Sequence, residues 1–219
     1  MKRKKKGLVK FLETDQLRKL EEPLTEKTRQ ALNKNELTIT DVITIRDFAV
    51  LNLIYACGLR ISEACNLELE HLDLEKKIAY ILDSKGDDRT IAIPSQTIEI
   101  LKEWFSVRPN WKNNPYVFTN VKGTTRPGKV RPLNRRYYNQ VIDKLSEMTE
   151  VKMKGGKKPT PHTLRHSRAM EWYDNGATLD LIQAALGHKS IQTTQVYAKV
   201  RDSKIAEMQN QITGGLISL

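Results

Sequence analysis

The chain has 219 residues, with 37 Lys and Arg against 26 Asp and Glu, and carries a formal net charge of +11. A balance this basic is typical of proteins that bind polyanions, although alone it does not separate DNA, RNA and acidic membrane surfaces. The length suffices for one large domain with a buried core, and no apolar run approaches the ~20 residues of a membrane-spanning helix.

The two cysteines, Cys57 and Cys65, lack the spacing of a zinc site or of a thiol–disulfide motif. We expect both to be packed, reduced thiols in a cytoplasmic protein, and we expect no metal site.

The N-terminal arm, residues 1–10, has six basic side chains and no acidic one. Two interpretations stay open and are compatible. The arm is solvated and disordered, or it contacts phosphates at the edge of a DNA complex.

Two helices are predicted next. Residues 11–24 place leucines at helical spacing, and Pro23 is expected to end that helix, leaving residues 25–38 as a loop or a marginal helix. Residues 40–57 are apolar nearly all round, which predicts a central, buried helix that Gly58 ends. A short helix follows from 59 to about 67. Arg60 begins it, and from spacing alone Arg60 is a surface partner of Glu63.

Residues 78–82 and 90–93 are short β-branched runs around a turn-like segment, which predicts an antiparallel hairpin with Lys85 at its tip. Most lysines at such tips are only solvated. Further helices are predicted over 94–107 and 133–148, and basic loops rich in Gly and Pro lie over 120–136 and 152–159. The charge of these loops favours a DNA-facing role. The predicted fold class is α+β, mainly α, with a small antiparallel sheet.

The segment 161–197 contains the most informative pattern. His162 and Arg165 are three residues apart, which places them on one face of a helix. A short helix over 178–186 is predicted to end at Gly187 in a left-handed cap, so that His188 lies at a turn. A further short helix is predicted to end near Tyr197, followed by a separate helix over 201–213.

These residue types together indicate phosphoryl transfer. Arg binds phosphate oxygens through a planar fork, a Tyr hydroxyl can attack phosphorus, and imidazoles can move the protons. His166, about 100° from Arg165 on a helix, is interpreted as a packing residue, as are Met170, Trp172 and Tyr173. Tyr137 and Tyr138 have no neighbouring His-x-x-Arg and are poor nucleophile candidates.

The order His-x-x-Arg, Gly-His, Tyr over 161–197 resembles the C-terminal signature of the tyrosine recombinases, or lambda-type phage integrases. The stretch RDFAVLNLIYACGLRISEACNLELEHLDL, residues 46–74, resembles the family's first signature, in which the Arg after Gly-Leu binds phosphate. The resemblance covers about residues 11–200 and implies the family's catalytic domain. Cys57 stands where the family often has Thr, a departure that concerns packing.

The resemblance implies a role for each candidate. Arg60, Arg165 and His188 hold the scissile phosphate, and Glu63 supports the site by orienting Arg60 or a histidine. Tyr197 is the nucleophile and His162 helps to take its proton. Lys85, the hairpin lysine, protonates the leaving 5′ oxygen. The mechanism needs no metal, nucleotide or other cofactor.

The implied function is site-specific recombination of double-stranded DNA through a 3′-phosphotyrosyl intermediate, by a tetramer on paired sites. The tail, residues 201–219, is expected to pack on a neighbouring subunit, with docking in cis as the alternative. Full-length members carry a further DNA-binding domain, so this chain is expected to be an excised catalytic domain or a minimal recombinase. A type IB topoisomerase-like enzyme and a non-cleaving DNA-binding accessory protein stay open.

Overall fold

The computed structural model of the chain describes residues 10–82, 88–110, 112–122 and 131–213, the last eleven of them by backbone only. Predictions for most of the N-terminal arm, for Lys85, for the loop 123–130 and for residues 214–219 lie outside this range. No helix in the described segments is both long enough and apolar enough to cross a membrane.

The described chain is mainly helical with one small antiparallel sheet, which confirms the predicted fold class. Its helices are α1 Thr14–Leu32, α2 Ile39–Cys57, α3 Ile61–Asn66, α4 Ser95–Val107, α5 Arg135–Thr149, α6 Pro161–Asp174, α7 Leu179–Leu186 and α8 Ile191–Thr213. Its strands are β1 Leu72–Asp73, β2 Ile78–Ile81 and β3 Arg89–Ala92, in the order β1-β2-β3. The predicted hairpin is β2–β3, in which Ile81 pairs with Arg89.

Helix α2 is the centre of the fold, as its all-round apolar sequence predicts. The Thr38 hydroxyl accepts from the backbone N–H of Asp41 at its start, and Gly58 ends it in the left-handed conformation with φ 63°. Its buried side chains pack against α1, α4 and α6. One face of α6 is therefore positioned against α2.

Helix α1 does not end at Pro23, and that prediction is wrong. Pro23 lies inside the helix, which continues to Leu32. A proline inside a helix costs about 3 kcal/mol relative to Ala. The helix continues because one face, with Leu17 and Leu20 before the proline and Leu24 and Thr28 after it, is buried against α2 and α5.

The C-terminal helix also differs from the prediction. A short helix was expected to end near Tyr197, but α8 runs unbroken from Ile191 to Thr213. Residues 191–213 contain neither Gly nor Pro, so nothing in the sequence ends the helix after Tyr197.

Two apolar clusters divide the interior. The larger surrounds α2, and both cysteines are buried in it without a disulfide. Burial raises the pKa of each thiol to about 12, so both are unreactive at neutral pH.

The smaller apolar cluster joins α6, α7 and α8. It confirms the packing role that the sequence predicted for Met170, Trp172 and Tyr173. Its members from α6 are Ala169 and Met170, with the partly buried Trp172 and Tyr173 against them.

We expect Gly58→Ala to destabilise the protein more than Gly176→Ala. Both glycines have positive φ, 63° and 91°, so both substitutions strain the backbone, by about 1–2 kcal/mol. A Cβ at Gly58 would also lie 2.9 Å from Leu186 Cδ2, which adds about 1–3 kcal/mol of overpacking, whereas the space at Gly176 is empty. Urea unfolding of both variants measures the difference. Equal losses of unfolding free energy in the two variants would contradict the close approach of Leu186, on α7, to Gly58.

Candidate active site

Arg60 and Glu63 form the first part of the site. The backbone N–H of Arg60 donates to Glu63 Oε2 at 2.8 Å and its Nη1 donates to Oε1 at 2.7 Å. The Glu63 side chain is only 4% exposed, so this pair is not the surface pair that spacing alone suggests. Arg60 Nη2 also donates to the carbonyl of Gly187 at 3.2 Å. Arg60 therefore joins the start of α3 to the turn after α7.

Arg89, on β3, is a site residue that the sequence analysis missed. Its two Nη atoms donate to the Glu63 carboxylate at 3.1 and 2.9 Å, and its Nε donates to the carbonyl of Ala185 at 2.9 Å. It also packs against Gly187, where a Cβ would lie 2.9 Å from Nη1. Its partners are 26 and 96 residues away in sequence, so no local pattern could identify them.

Arg165 is the third guanidinium of the site and is almost completely buried, at 1% exposure. Its Nη1 donates to the carbonyl of Gly58 at 2.9 Å and its Nη2 to that of Leu186, while Glu63 Oε2 lies 3.6 Å away. Burial lowers the pKa of Arg165 to about 10, which leaves it charged at neutral pH.

The charges around Glu63 do not cancel. Three guanidinium groups, of Arg60, Arg89 and Arg165, lie within 4 Å of one carboxylate, so the group has a net charge of 3 − 1 = +2. A partly buried cluster with excess positive charge attracts an anion, and guanidinium forks match phosphate geometry. The arrangement is suited to binding a phosphate.

Tyr197 lies against the histidines of α6. Its side chain is fully buried, and its hydroxyl is 2.8 Å from Nδ1 of His166. The rings of His166 and His162 meet edge to face with centroids 4.2 Å apart. His166, interpreted from the sequence as a packing residue, packs on the face of α6 that α8 covers, and its contact with the Tyr197 hydroxyl also places it in the site. The i, i+4 spacing of His162 and His166 puts both on one face and was the missed signal.

His188 follows the Gly187 cap and faces the start of α8. Its Nδ1 is 3.0 Å from the hydroxyl of Thr194, and its backbone N–H donates to the carbonyl of Gln183 at 3.1 Å. The Gln183 side chain in turn donates to the carbonyl of His188 at 2.9 Å. These contacts fix the turn between α7 and α8.

The acid–base state of the site follows from burial and charge. Burial, and then the neighbouring positive charges, lower the pKa of His166 to about 3 and of His188 to about 4, and the pKa of His162 is also lowered. Burial raises the pKa of Tyr197 to about 12, while the charge of Arg165 acts in the opposite direction. At neutral pH the site therefore holds neutral imidazoles and a protonated phenol.

Of the residues selected from the sequence, the structure brings together Arg60, Glu63, His162, Arg165, His188 and Tyr197. Lys85 lies outside the described residues. The Tyr137 hydroxyl donates to Asp47 at 2.5 Å, and the fully buried Tyr138 packs edge to face on the Tyr137 ring, so both tyrosines belong to a different part of the core.

Residues 22–204 match the sequence model of the phage integrase family. The chain belongs to the phage integrase family. It is 31% identical over 168 residues to "Tyrosine recombinase XerC" of Corynebacterium glutamicum, an alignment that covers 76% of this chain and 51% of that protein. It is 36% identical over 170 residues to "Tyrosine recombinase XerD" of Staphylococcus aureus, covering 76% and 54%. The chain thus spans about half the length of these relatives.

Solved structures of phage integrase relatives have the same fold. A crystal structure of XerA recombinase matches with a TM-score of 0.69 and 25% identity, covering 94% of this chain and 65% of that chain. XerH site-specific recombinase, in a pre-cleavage complex with its difH substrate, matches with a TM-score of 0.68 and 26% identity, covering 88% and 51%.

We expect Arg89→Met to destabilise this integrase-family domain, while Arg29→Met should have no measurable effect. Arg89 and Glu63 are 8% and 4% exposed, and breaking a buried ion pair costs about 3–5 kcal/mol. Glu63 keeps Arg60 as a partner, so we expect a loss at or below the low end of that range. Arg29, 69% exposed in its pair with Glu26, is the control. Urea unfolding compares them, and equal effects would contradict the buried network.

Proposed function

We propose that this chain breaks and rejoins double-stranded DNA as the catalytic part of a site-specific recombinase, through a 3′-phosphotyrosyl intermediate. The observation that carries the proposal is the position of the Tyr197 hydroxyl. It contacts an imidazole on the helix that also carries Arg165, beside a cluster with a net charge of +2. A phenol nucleophile, a proton acceptor and a phosphate-binding group are thereby within one site.

The arginines bind the scissile phosphate and match the charge that develops on it. Arg60 is the most accessible of the three, at 28% side-chain exposure against 8% for Arg89 and 1% for Arg165. Arg60 and Arg165, with His188, offset the negative charge on the non-bridging oxygens in the transition state. Glu63 fixes their positions in advance, so little reorganisation is needed when DNA binds.

Tyr197 attacks the phosphorus and displaces the 5′ oxygen, and its proton leaves to an imidazole of the α6 pair, His162 and His166. The covalent link keeps the energy of the broken phosphodiester, so a 5′ hydroxyl from another strand reverses the step without ATP. Because Tyr197 is fully buried here, its hydroxyl must become accessible before DNA can react.

Lys85 donates the proton to the departing 5′ oxygen. Its position in sequence supports this role, because it is four residues from Arg89, whose guanidinium lies in the site. In the sequence it lies between β2 and β3, and the last residue of β2, Ile81, pairs with the first residue of β3, Arg89.

The partner is double-stranded DNA, and the working form is a homotetramer on paired sites. The net charge of +11 supports DNA binding, as does the likeness to XerH, a recombinase solved with its difH substrate. We assign residues 1–10 to a basic arm, 11–200 to the catalytic domain and 201–219 to a tail that packs on a neighbouring subunit.

We expect Tyr197→Phe to abolish the covalent adduct while DNA affinity stays nearly unchanged. The variant loses only the nucleophilic hydroxyl, whereas affinity depends on the arginines and basic loops. The assay uses labelled, nicked duplexes that the protein has selected by binding from a pool of randomised sequences, and denaturing electrophoresis, in which an adduct carries the label at protein size. Tyr80→Phe, at an exposed position on β2, is the control. An adduct formed by Tyr197→Phe would contradict the assignment. DNA binding without any adduct from the unaltered protein would favour a non-cleaving accessory protein.

We expect Lys85→Ala to slow cleavage by about 10²–10⁴-fold on ordinary DNA, the usual contribution of a general acid. A 5′-bridging phosphorothiolate should restore most of the rate, because a sulfur leaving group needs little protonation. Rates of adduct formation on the two substrates measure the effect. Lys76→Ala, which removes an exposed lysine paired with Asp73, is the control. An equal loss on both substrates would show that Lys85 positions DNA and does not donate a proton.

A further inference from the structure

We propose that His166 is the residue that accepts the Tyr197 proton on cleavage and returns it on rejoining. The inference rests on the proposed function and assigns to one residue a step that the family resemblance gives to His162. It starts from one contact, the 2.8 Å separation between Nδ1 of His166 and the Tyr197 hydroxyl.

The geometry selects His166 among the three histidines of the site. His162 contacts the ring of His166 edge to face, at 4.2 Å between centroids. The Nδ1 of His188 is 3.0 Å from the Thr194 hydroxyl. A proton acceptor has to be within hydrogen-bond distance of the proton that it takes, and the contact of His166 with Tyr197 meets that condition.

The protonation states agree with this contact. The phenol is protonated at neutral pH, and it donates to Nδ1 in the tautomer of the neutral imidazole that carries its proton on Nε2. His166 is neutral because it is buried and because the groups that face it, His162 and Arg165 on α6 and His188 before α8, disfavour a further positive charge. A neutral imidazole keeps the lone pair that accepts the hydrogen bond.

A bound phosphate makes His166 a better base. In the free site the charge of Arg165 helps to keep the pKa of His166 low. A phosphodiester brings one negative charge to the same arginines, and a nearby negative charge favours the protonated imidazole. The substrate thereby raises the proton affinity of the acceptor at the moment when the phenol has to lose its proton.

The step is a balanced substitution at phosphorus. The bond from the Tyr197 oxygen to phosphorus forms and the phenol proton moves to Nδ1 of His166. The bond from phosphorus to the 5′ oxygen breaks, and the 5′ oxygen takes the proton that the proposed function assigns to Lys85. On rejoining, a 5′ hydroxyl returns that proton to Lys85 as it attacks phosphorus, the tyrosyl oxygen leaves, and His166 returns the phenol proton to it. No oxidant, metal or nucleotide takes part in either direction.

The test is the rate of adduct formation by His166→Asn on the same labelled, nicked duplexes, selected by binding from randomised sequences. The Asn amide can accept a hydrogen bond near the position of Nδ1 but cannot take a proton. We expect a loss of about 10²–10⁴-fold, the usual contribution of acid–base catalysis. Replacing Tyr197 by a fluorinated tyrosine, whose phenol is more acidic, should recover much of that loss. A residue that only supports the structure would not be rescued in this way.

Two controls make the result specific. The His71→Asn variant should cleave DNA at the rate of the unaltered protein. His71 is a partly buried histidine that follows α3 in the chain and lies beside Glu70, outside the site. His162→Asn should lose less activity than His166→Asn. If His166→Asn does not fold, as judged by its thermal unfolding, His166→Gln replaces it in the same series.

The outcomes separate this inference from the proposed function. No adduct from the unaltered protein contradicts the proposed function itself. An adduct from the unaltered protein and an equal rate for His166→Asn overturn only the role of His166. A faster rate for His166→Asn also overturns it, because the hydrogen bond would then hold the nucleophile back. A loss without rescue by the fluorinated tyrosine overturns proton transfer as the reason for the loss.

Discussion

The carboxylate of Glu63 is the contact on which the site depends. It is almost completely buried and receives hydrogen bonds from Arg60 and Arg89, with Arg165 at 3.6 Å. Burying three guanidinium groups together without such an anion would be very unfavourable, because like charges repel strongly where water is excluded. One carboxylate reduces this repulsion but leaves an excess of positive charge. The same group of charges is therefore stable enough to form and still attracts a phosphate.

This group of charges is connected to Tyr197 through hydrogen bonds to backbone carbonyls. Arg165 donates to the carbonyl of Gly58, at the end of the central helix, and to that of Leu186, at the end of α7. Arg60 and Arg89 hold the same end of α7 through the carbonyls of Gly187 and Ala185. The turn that follows leads directly into α8, which carries Tyr197. Packing, charge and the position of Tyr197 are consequently linked, and a change in one is expected to affect the others.

Much of the fold could be predicted from local patterns. The all-round apolar sequence of α2, the glycines after α2 and α7, and the β2–β3 hairpin were predicted correctly, because caps and periodicity are local properties. The failures have a different origin. Pro23 was expected to end α1, but the burial of one face on α2 and α5 outweighs its cost. The expected break near Tyr197 had no Gly or Pro to cause it.

The sequence also identified only some of the residues that the structure places in the site. Arg60, His162, Arg165, His188 and Tyr197 were selected because they stand in a recognisable order, and the structure brings them together. Arg89 was missed because its partners are distant in sequence. The contact of His166 with Tyr197 was missed because a projection of α6 alone cannot show that α8 brings Tyr197 to that face.

The most direct test of the account is to identify the amino acid that becomes attached to DNA. The unaltered protein is incubated with nicked duplexes, the adduct is digested with protease and nuclease, and the modified peptide is sequenced by mass spectrometry. We expect a nucleotide linked through its 3′ phosphate to the peptide that contains Tyr197. A nucleotide on any other residue, or a link through a 5′ phosphate, would contradict the account.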